Sequence, residues 1–327
     1  MLRDQTGWLV GLGVVAVLTA CSNAGGDLGP NPTTTNSVSV DLYLDRDGSL
    51  SPTTSDTLFQ GARVALLIGA SGDTLKATTS NAQGRARFDK VPLGTYTVTV
   101  VPSSIGDSIE IQKIDSAHIR VRVADTNTVL MVRLGYPEVS IRAARALPAG
   151  KRVFIRGKVL GGATFGDTTT HVADTSGQIR LTRVSLRAGL TTTNPGDSVS
   201  VIGETSSRAG QPTLDEAAIF RLTTRPAPQP LSVTSGTAAN ANNGLLDAAL
   251  VRVTSVLISD SGTVAPDFRV VASDGTGALT IILDGNLNFA RTQFRPGRSI
   301  NVTGLLVPDG LGGWVLKPRE VGDVTLL

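Results

Sequence analysis

The sequence predicts an all-β protein made of successive small units, and three observations predict it. The 327 residues include 36 glycines and 16 prolines but only 2 methionines, and threonine and valine are abundant. That composition favours short strands and turns over helices. Past the N-terminus, no window of about 15 residues carries apolar side chains at helical spacing. Finally, several stretches alternate apolar and polar residues, and the second half of the chain repeats itself at a period of about 100 residues.

The chain opens with Arg3 and an apolar run from Trp8 to Leu18, followed by Leu18-Thr19-Ala20-Cys21. The run would rise about 16 Å as a helix, roughly half a bilayer's hydrocarbon thickness. That length suits the core of a secretory signal better than a membrane span. Cys21 is the single cysteine of the chain. The four residues ending at Cys21 resemble the lipobox of bacterial lipoproteins at every position. The resemblance implies cleavage before Cys21 and a diacylglyceryl group on its sulfur, so residues 1–20 read as a signal peptide. Two or more acyl chains hold a protein stably at a membrane, each buried methylene contributing about 0.8 kcal/mol. Ser22, where an aspartate would retain the protein at the inner membrane, implies the outer membrane if the host is Gram-negative. Residues 21–37 are polar and rich in Gly, Pro and Thr, and read as a flexible tether. With its one thiol lipidated, the chain has no disulfide.

Residues 38–135 form the first unit. "SVSVDLYLDRDG", "ARVALLIG", "DTLKATTSNAQGRARF" and "GTYTVTVVP" follow one another closely with turn residues between them, the pattern of an antiparallel β-sandwich. Asn81-Ala82-Gln83-Gly84 and Val91-Pro92-Leu93-Gly94-Thr95-Tyr96 resemble the B-type repeats of Gram-positive adhesins and the carboxypeptidase regulatory-like domains. The resemblance implies an immunoglobulin- or prealbumin-like sandwich used as a stalk or spacer, with Gly84 and Gly94 at turns and Tyr96 opening the next strand. Adhesin repeats bind calcium through an acidic loop. Asp45, Asp47 and Gly48 fit such a loop, but Tyr43 stands where a first acidic ligand belongs. Calcium takes six or more oxygens, so Asp45 and Asp47 are a weak calcium candidate and the unit is expected to fold without metal.

The second and third units, 137–226 and 231–327, are the two copies of the repeat. "RVFIRGKVL" (152–160) answers "LVRVTSVLI" (250–258), "HVADTSGQIRL" (171–181) answers "RVVASDGTGALTI" (269–281), and "NPGDSVSVIGE" (194–204) answers "RPGRSINVTGL" (295–305). Each copy offers a long first strand, a hairpin, a variable connection and a Pro-Gly turn into two last strands. That order resembles the OB-fold, a five-stranded Greek-key barrel, and implies two tandem OB-like barrels joined by the Pro-rich "TTRPAPQPL".

Charge is unevenly spread. Residues 38–135 carry ten basic and ten acidic side chains, 139–224 eleven and six, and 231–327 seven and eight. The excess lies in the first barrel, where an anionic partner would be sought. OB-folds bind ligands on the exposed side of their first three strands. Alternation puts Val153, Ile155 and Val159 inward, with Gly157 at a bend, and Arg152, Phe154, Arg156 and Lys158 outward; Arg180 points outward between Ile179 and Leu181. Four cations and one aromatic suit phosphate neutralisation with base stacking, and equally suit a solvated strand face. The corresponding strand of the second copy presents Val251, Val253 and Ser255 on one side and lacks the pattern.

Catalytic material is thin. The chain has two histidines, His118 and His171, too few for a multi-histidine metal site. His171 precedes Asp174 by three residues, yet no Gly-x-Ser-x-Gly, phosphate loop or His-Glu-x-x-His accompanies it. The expectation is a non-enzyme without a cofactor: a lipid-anchored envelope protein that binds or scaffolds a surface protein or glycan. The alternative is single-stranded nucleic-acid binding, or assistance to a secreted nuclease, through the basic face of the first barrel.

Overall fold

The computed structural model describes residues 31–69, 72–115, 118–122, 127–162, 165 and 168–327. Cys21 and the signal segment lie outside the described residues.

The first unit comprises β1 (Asn31–Leu44), β2 (Thr57–Leu58), β3 (Arg63–Ile68), β4 (Asp73–Thr79), β5 (Arg85–Val100), β6 (Glu110–Ile114), β7 (His118–Val121) and β8 (Asn127–Gly135). They form the path β4-β3-β5-β1-β8-β6. β5 is the hinge of the sandwich. Its first half pairs with β1 up to Leu93, and its second half pairs with β3 and β7 from Gly94 onward. Gly94 therefore lies inside a strand that changes sheets, not at a turn. Tyr96 sits buried between the layers and donates its hydroxyl proton to Pro92 O at 2.8 Å. Gly84 is a turn as expected: φ is +70°, and a Cβ there would stand 2.4 Å from Leu42 O. β1 begins at Asn31, so residues 31–37 of the expected tether are strand, paired with β5 and, at Ser37, with β8. Composition cannot anticipate this, because the backbone of a polar segment is satisfied by ladder bonds as well as by water.

The first barrel contains α1 (Ile141–Ala146), β9 (Arg152–Gly161), β10 (Thr170–Ala173), β11 (Gln178–Leu181), β12 (Ser185–Leu186), β13 (Asp197–Arg208) and β14 (Gln211–Thr224). The second contains β15 (Leu231–Ser232), α2 (Ser235–Ala239), β16 (Leu250–Val264), β17 (Asp267–Ser273), β18 (Leu279–Leu283), β19 (Ser299–Pro308), β20 (Trp314–Lys317) and β21 (Val324–Leu326). The order β11-β10-β9-β13-β14 closes through a parallel β11–β14 pair, and β16-β17-β18-β20-β19 closes through β16–β19. In both copies the third strand runs parallel to the fifth. This is the OB topology, twice.

The repeat extends to the pins of each barrel. Asp174, in the β10–β11 turn, accepts from Ser176 N, Ser176 Oγ and Gly177 N, and reaches Ile141 N at the start of α1 at 2.9 Å. Asp274, in the β17–β18 turn, accepts from Thr276 N, Thr276 Oγ1 and Ser235 Oγ, and reaches Ser235 N at the start of α2 at 3.0 Å. Each aspartate thus ties a hairpin to the helix that precedes the first strand. The turns into β13 and β19 place Gly196 and Gly297 at φ +94° and +87°, a region that only glycine enters without strain.

Candidate functional site

β9 sits between β10 and β13. Val153, Ile155 and Val159 enter the barrel core as alternation predicts. Gly157 allows the close crossing of β10, for a Cβ there would meet Ala173 O at 2.8 Å. Arg152, Phe154, Arg156 and Lys158 stand on the outer side of the barrel. The surroundings of that side differ from the expectation.

Phe154 is not available for stacking on a base. It is 4 % exposed and belongs, with Ile202 opposite it on β13, to the apolar core of the β-sandwich. The loop after β1 covers it. Gly48 adopts φ +74°, and a Cβ there would lie 3.0 Å from Ser200 Oγ and 3.5 Å from the Phe154 ring. Ser200 Oγ donates to Gly48 O at 2.6 Å, and the Phe154 backbone pairs with Pro137 O and Val139 N of the connector. An aromatic ring on the outside of one barrel is stabilised by burial against a neighbouring domain, because its apolar surface leaves water.

The arginines beside Phe154 are paired. Arg156 lies 3.0 Å from Glu138 and over the Phe154 ring, 5.3 Å from its centroid. Arg152 donates to Glu216 at 2.9 Å and lies 3.9 Å from Glu204. Lys158 is exposed, opposite Ser198 and Ala173. Arg180 faces the other way along the barrel, into a cleft of about 290 Å³ between the two barrels. There its guanidinium donates to Arg208 O at 3.4 Å, opposite His171. The five residues read as one face are therefore separated: Arg152, Phe154 and Arg156 lie at the sandwich junction, Arg180 in the cleft between the barrels, and Lys158 is exposed.

The second junction is also apolar at its centre. Leu160, Phe165, Leu250 and Leu305 form one cluster. Around it Arg145 reaches Asp247 at 3.3 Å, Gln178 Nε2 donates to Leu245 O at 2.8 Å, and Arg319 Nη1 donates to Leu160 O at 2.9 Å. Lys317 pairs with Asp284 at 2.9 Å and stands 4.5 Å over the Phe165 ring. In β16 the alternation breaks at a bulge between Val253 and Val256. Ser255, at φ +55°, is turned to solvent instead of sharing the side of Val251 and Val253.

The acidic loop gains a member that sequence spacing did not mark. Asp45, Asp47 and Asp56 hold carboxylate oxygens within 4.8 Å of one another. All six oxygens accept hydrogen bonds from the loop itself. Asp45 takes Gly48 N and Leu50 N, Asp47 takes Ser49 N and Thr53 Oγ1, and Asp56 takes Arg46 N and Thr53 N. Arg133 stands 4.0 Å from Asp45. Tyr43 is buried, and burial pushes its phenol up to about 12, so it offers no anionic ligand. Each carboxylate oxygen is engaged by a loop donor and an arginine stands behind Asp45, so a calcium ion, which takes six or more oxygens, would have to compete with these bonds.

The histidines do not meet. His118 lies on β7 with Nδ1 3.0 Å from Thr97 Oγ1, whereas His171 is buried on β10. Asp174 is committed to α1 and its own turn. Burial pushes its carboxyl up, but the donors of Ile141, Ser176 and Gly177 outweigh that and hold it below the ordinary range.

No family model and no curated protein matches the chain. Among solved structures, the chain is similar to a murine DNA binding protein bound with double-stranded DNA, at 10% identity and a TM-score of 0.29, covering 53% of this chain and 97% of that one. An Ifi202 HINa domain in complex with 20 bp double-stranded DNA gives 12% identity and a TM-score of 0.27, covering 55% and 97%. Asparaginyl-tRNA synthetase from Pyrococcus horikoshii gives 18% and 0.22; the match covers 25% of this chain and a fifth (20%) of the synthetase. At these scores the assignment of the two barrels rests on their own strand order and closure.

Proposed function

We propose that the protein is a non-catalytic, lipid-anchored component of the cell envelope that binds or scaffolds a surface protein or glycan. The observation that carries the reading is the use made of the first barrel's outer face. Phe154 is buried against the sandwich, Arg152 and Arg156 are each matched by glutamates, and Leu160 lies against the second barrel. A surface spent on joining domains favours a rigid arm over a nucleic-acid platform. Ten residue steps separate Cys21 from Asn31, a reach of about 35 Å when extended, so a lipidated Cys21 would hold the sandwich close to the membrane. Ser22 points to the outer membrane in a Gram-negative host.

Single-stranded nucleic-acid binding is the second reading. The observation that favours it is that Arg156 and Lys158 stand exposed two residues apart on β9 of an OB barrel. It lacks a stacking ring beside them.

Labelled-palmitate incorporation with membrane fractionation tests the anchor. The wild type should incorporate label and sediment with membranes, and Cys21→Ala should do neither while keeping its fold. An unlabelled wild type or a labelled variant would overturn the anchor.

A further inference from the structure

The junction between the sandwich and the first barrel forms a second cavity, of about 300 Å³ and open to solvent on one side. Its walls come from parts of the chain far apart in sequence. Arg46 belongs to the acidic loop, Arg152 to β9, and Arg187 follows β12; Asp47, Ser55, Tyr136 and Glu216 complete the polar lining. Arg46 and Arg187 are held at their backbones and Arg152 at its guanidinium. Arg46 N donates to Asp56 at 3.0 Å, Arg187 N donates to Ile219 O at 3.0 Å, and the Arg152 guanidinium is fixed by Glu216.

The charges are not balanced within the cavity. Glu216 is occupied by Arg152, with Arg183 a further 3.7 Å away. Asp47 is buried and directs its two oxygens at Ser49 N and Thr53 Oγ1. Among the described residues no carboxylate lies within ion-pair distance of Arg46 or Arg187. Two arginines, one from each domain, therefore border one polar cavity with no carboxylate at ion-pair distance, the Arg46 guanidinium donating to Thr57 Oγ1 at 3.4 Å. Glu216 lies in a β13–β14 irregularity at φ +48°, a conformation rarely adopted by a residue other than glycine.

We propose that this cavity binds one oxyanion, a phosphate, sulfate or carboxylate group, on a small hydroxyl-bearing ligand such as an acidic sugar. Guanidinium forks match planar and tetrahedral oxyanions bidentately. The cavity is at the lower end of the volumes in which proteins hold small molecules. The Ser55 and Tyr136 hydroxyls supply neutral hydrogen-bonding groups for the remainder. A ligand held by Arg46 and Arg187 together would bridge the sandwich and the barrel. The inference depends neither on lipid anchoring nor on nucleic-acid binding.

The test is calorimetric titration of the chain from residue 21 onward, made soluble by Cys21→Ser, at low ionic strength. The probes are inorganic phosphate, sulfate, D-glucuronate and, as a neutral control, glucose. Saturable binding near a Kd of about 1 mM is expected for at least one oxyanion and not for glucose. Whether phosphate, sulfate or glucuronate binds tightest identifies which oxyanion the cavity suits. Arg46→Gln and Arg187→Gln, both at exposed side chains, should each weaken binding about tenfold, the loss of one charge-assisted contact. Arg252→Gln, exposed on the second barrel, should change nothing. Absence of saturable binding for all three oxyanions, or equal weakening by Arg252→Gln, overturns the proposal. So does binding unaffected by both junction variants.

Discussion

Replacing Phe154 by alanine distinguishes a ring that joins domains from a ring that stacks on a ligand. The ring is 4 % exposed and packs with Ile202 against the sandwich. Deleting a buried phenylalanine costs about 3–5 kcal/mol in a core. A junction that can partly close should fall near the lower figure, about 3 kcal/mol, including the Arg156 contact over the ring, worth about 0.5–1 kcal/mol. The sandwich and first barrel together span some 190 residues, for which each kcal/mol shifts Tm by about 2–4 °C. The expected loss is therefore about 6–12 °C, with the sandwich transition separating from that of the barrels. Ser200→Ala removes the bond to Gly48 O and the longer one to Phe220 O, and should cost about 1 kcal/mol. Because the two side chains meet the same loop, the double variant should be non-additive. Lys158→Ala, exposed on the same strand, should stay within about 0.5 kcal/mol. Urea and thermal unfolding followed by circular dichroism measure all four. A Phe154→Ala variant as stable as the wild type would refute the reasoning.

Two further outcomes follow from the turns. Asp174 is held below its ordinary range against burial by its four donors, and Asp274 is held well below that range by Thr276 and Ser235. Both pKa values are depressed in the folded state, so their stabilisation is complete above the unfolded value near 3.8 and is lost as pH falls through the folded values. Asp174→Ala should cost about 1–3 kcal/mol at pH 7 and flatten the acid side of the Tm–pH curve; a variant whose acid limb is unchanged would contradict this. For the acidic loop, millimolar calcium against chelator should leave the melting temperature of the chain within about 2 °C, since RT ln(1 + [L]/Kd) is small for a site that does not bind. A rise of many degrees would show that the carboxylates turn outward to a metal.

The barrels were legible because their signals are local. Alternation in 152–160, the Asp-x-Ser/Thr-Gly turns at 174–177 and 274–277, and the Pro-Gly entries at 195–196 and 296–297 each depend on neighbouring residues. Gly157 could be singled out for the same reason. The candidate face was legible only in part. Period 2 tells which side of β9 Phe154 occupies, but not that a loop about 100 residues earlier covers that side. Nor does it reveal that Glu138, Glu204 and Glu216 converge on the arginines. Asp56 joined the acidic cluster through the fold of its loop, nine residues beyond Asp47. Ser255 was misplaced because one bulge rephases every residue after it. The strand at 31–37 was invisible because polar edge pairing leaves no apolar pattern.

The central claim is that the outer face of the first barrel joins domains and is not a nucleic-acid platform. Fluorescence anisotropy of labelled single-stranded oligonucleotides, titrated with the Cys21→Ser chain at about 150 mM salt, tests it directly. The account predicts no binding tighter than about 100 μM, the weak end of non-specific affinity. Micromolar binding that is lost in Arg156→Ala and Lys158→Ala, with a log–log salt slope steeper than about −2, would contradict it.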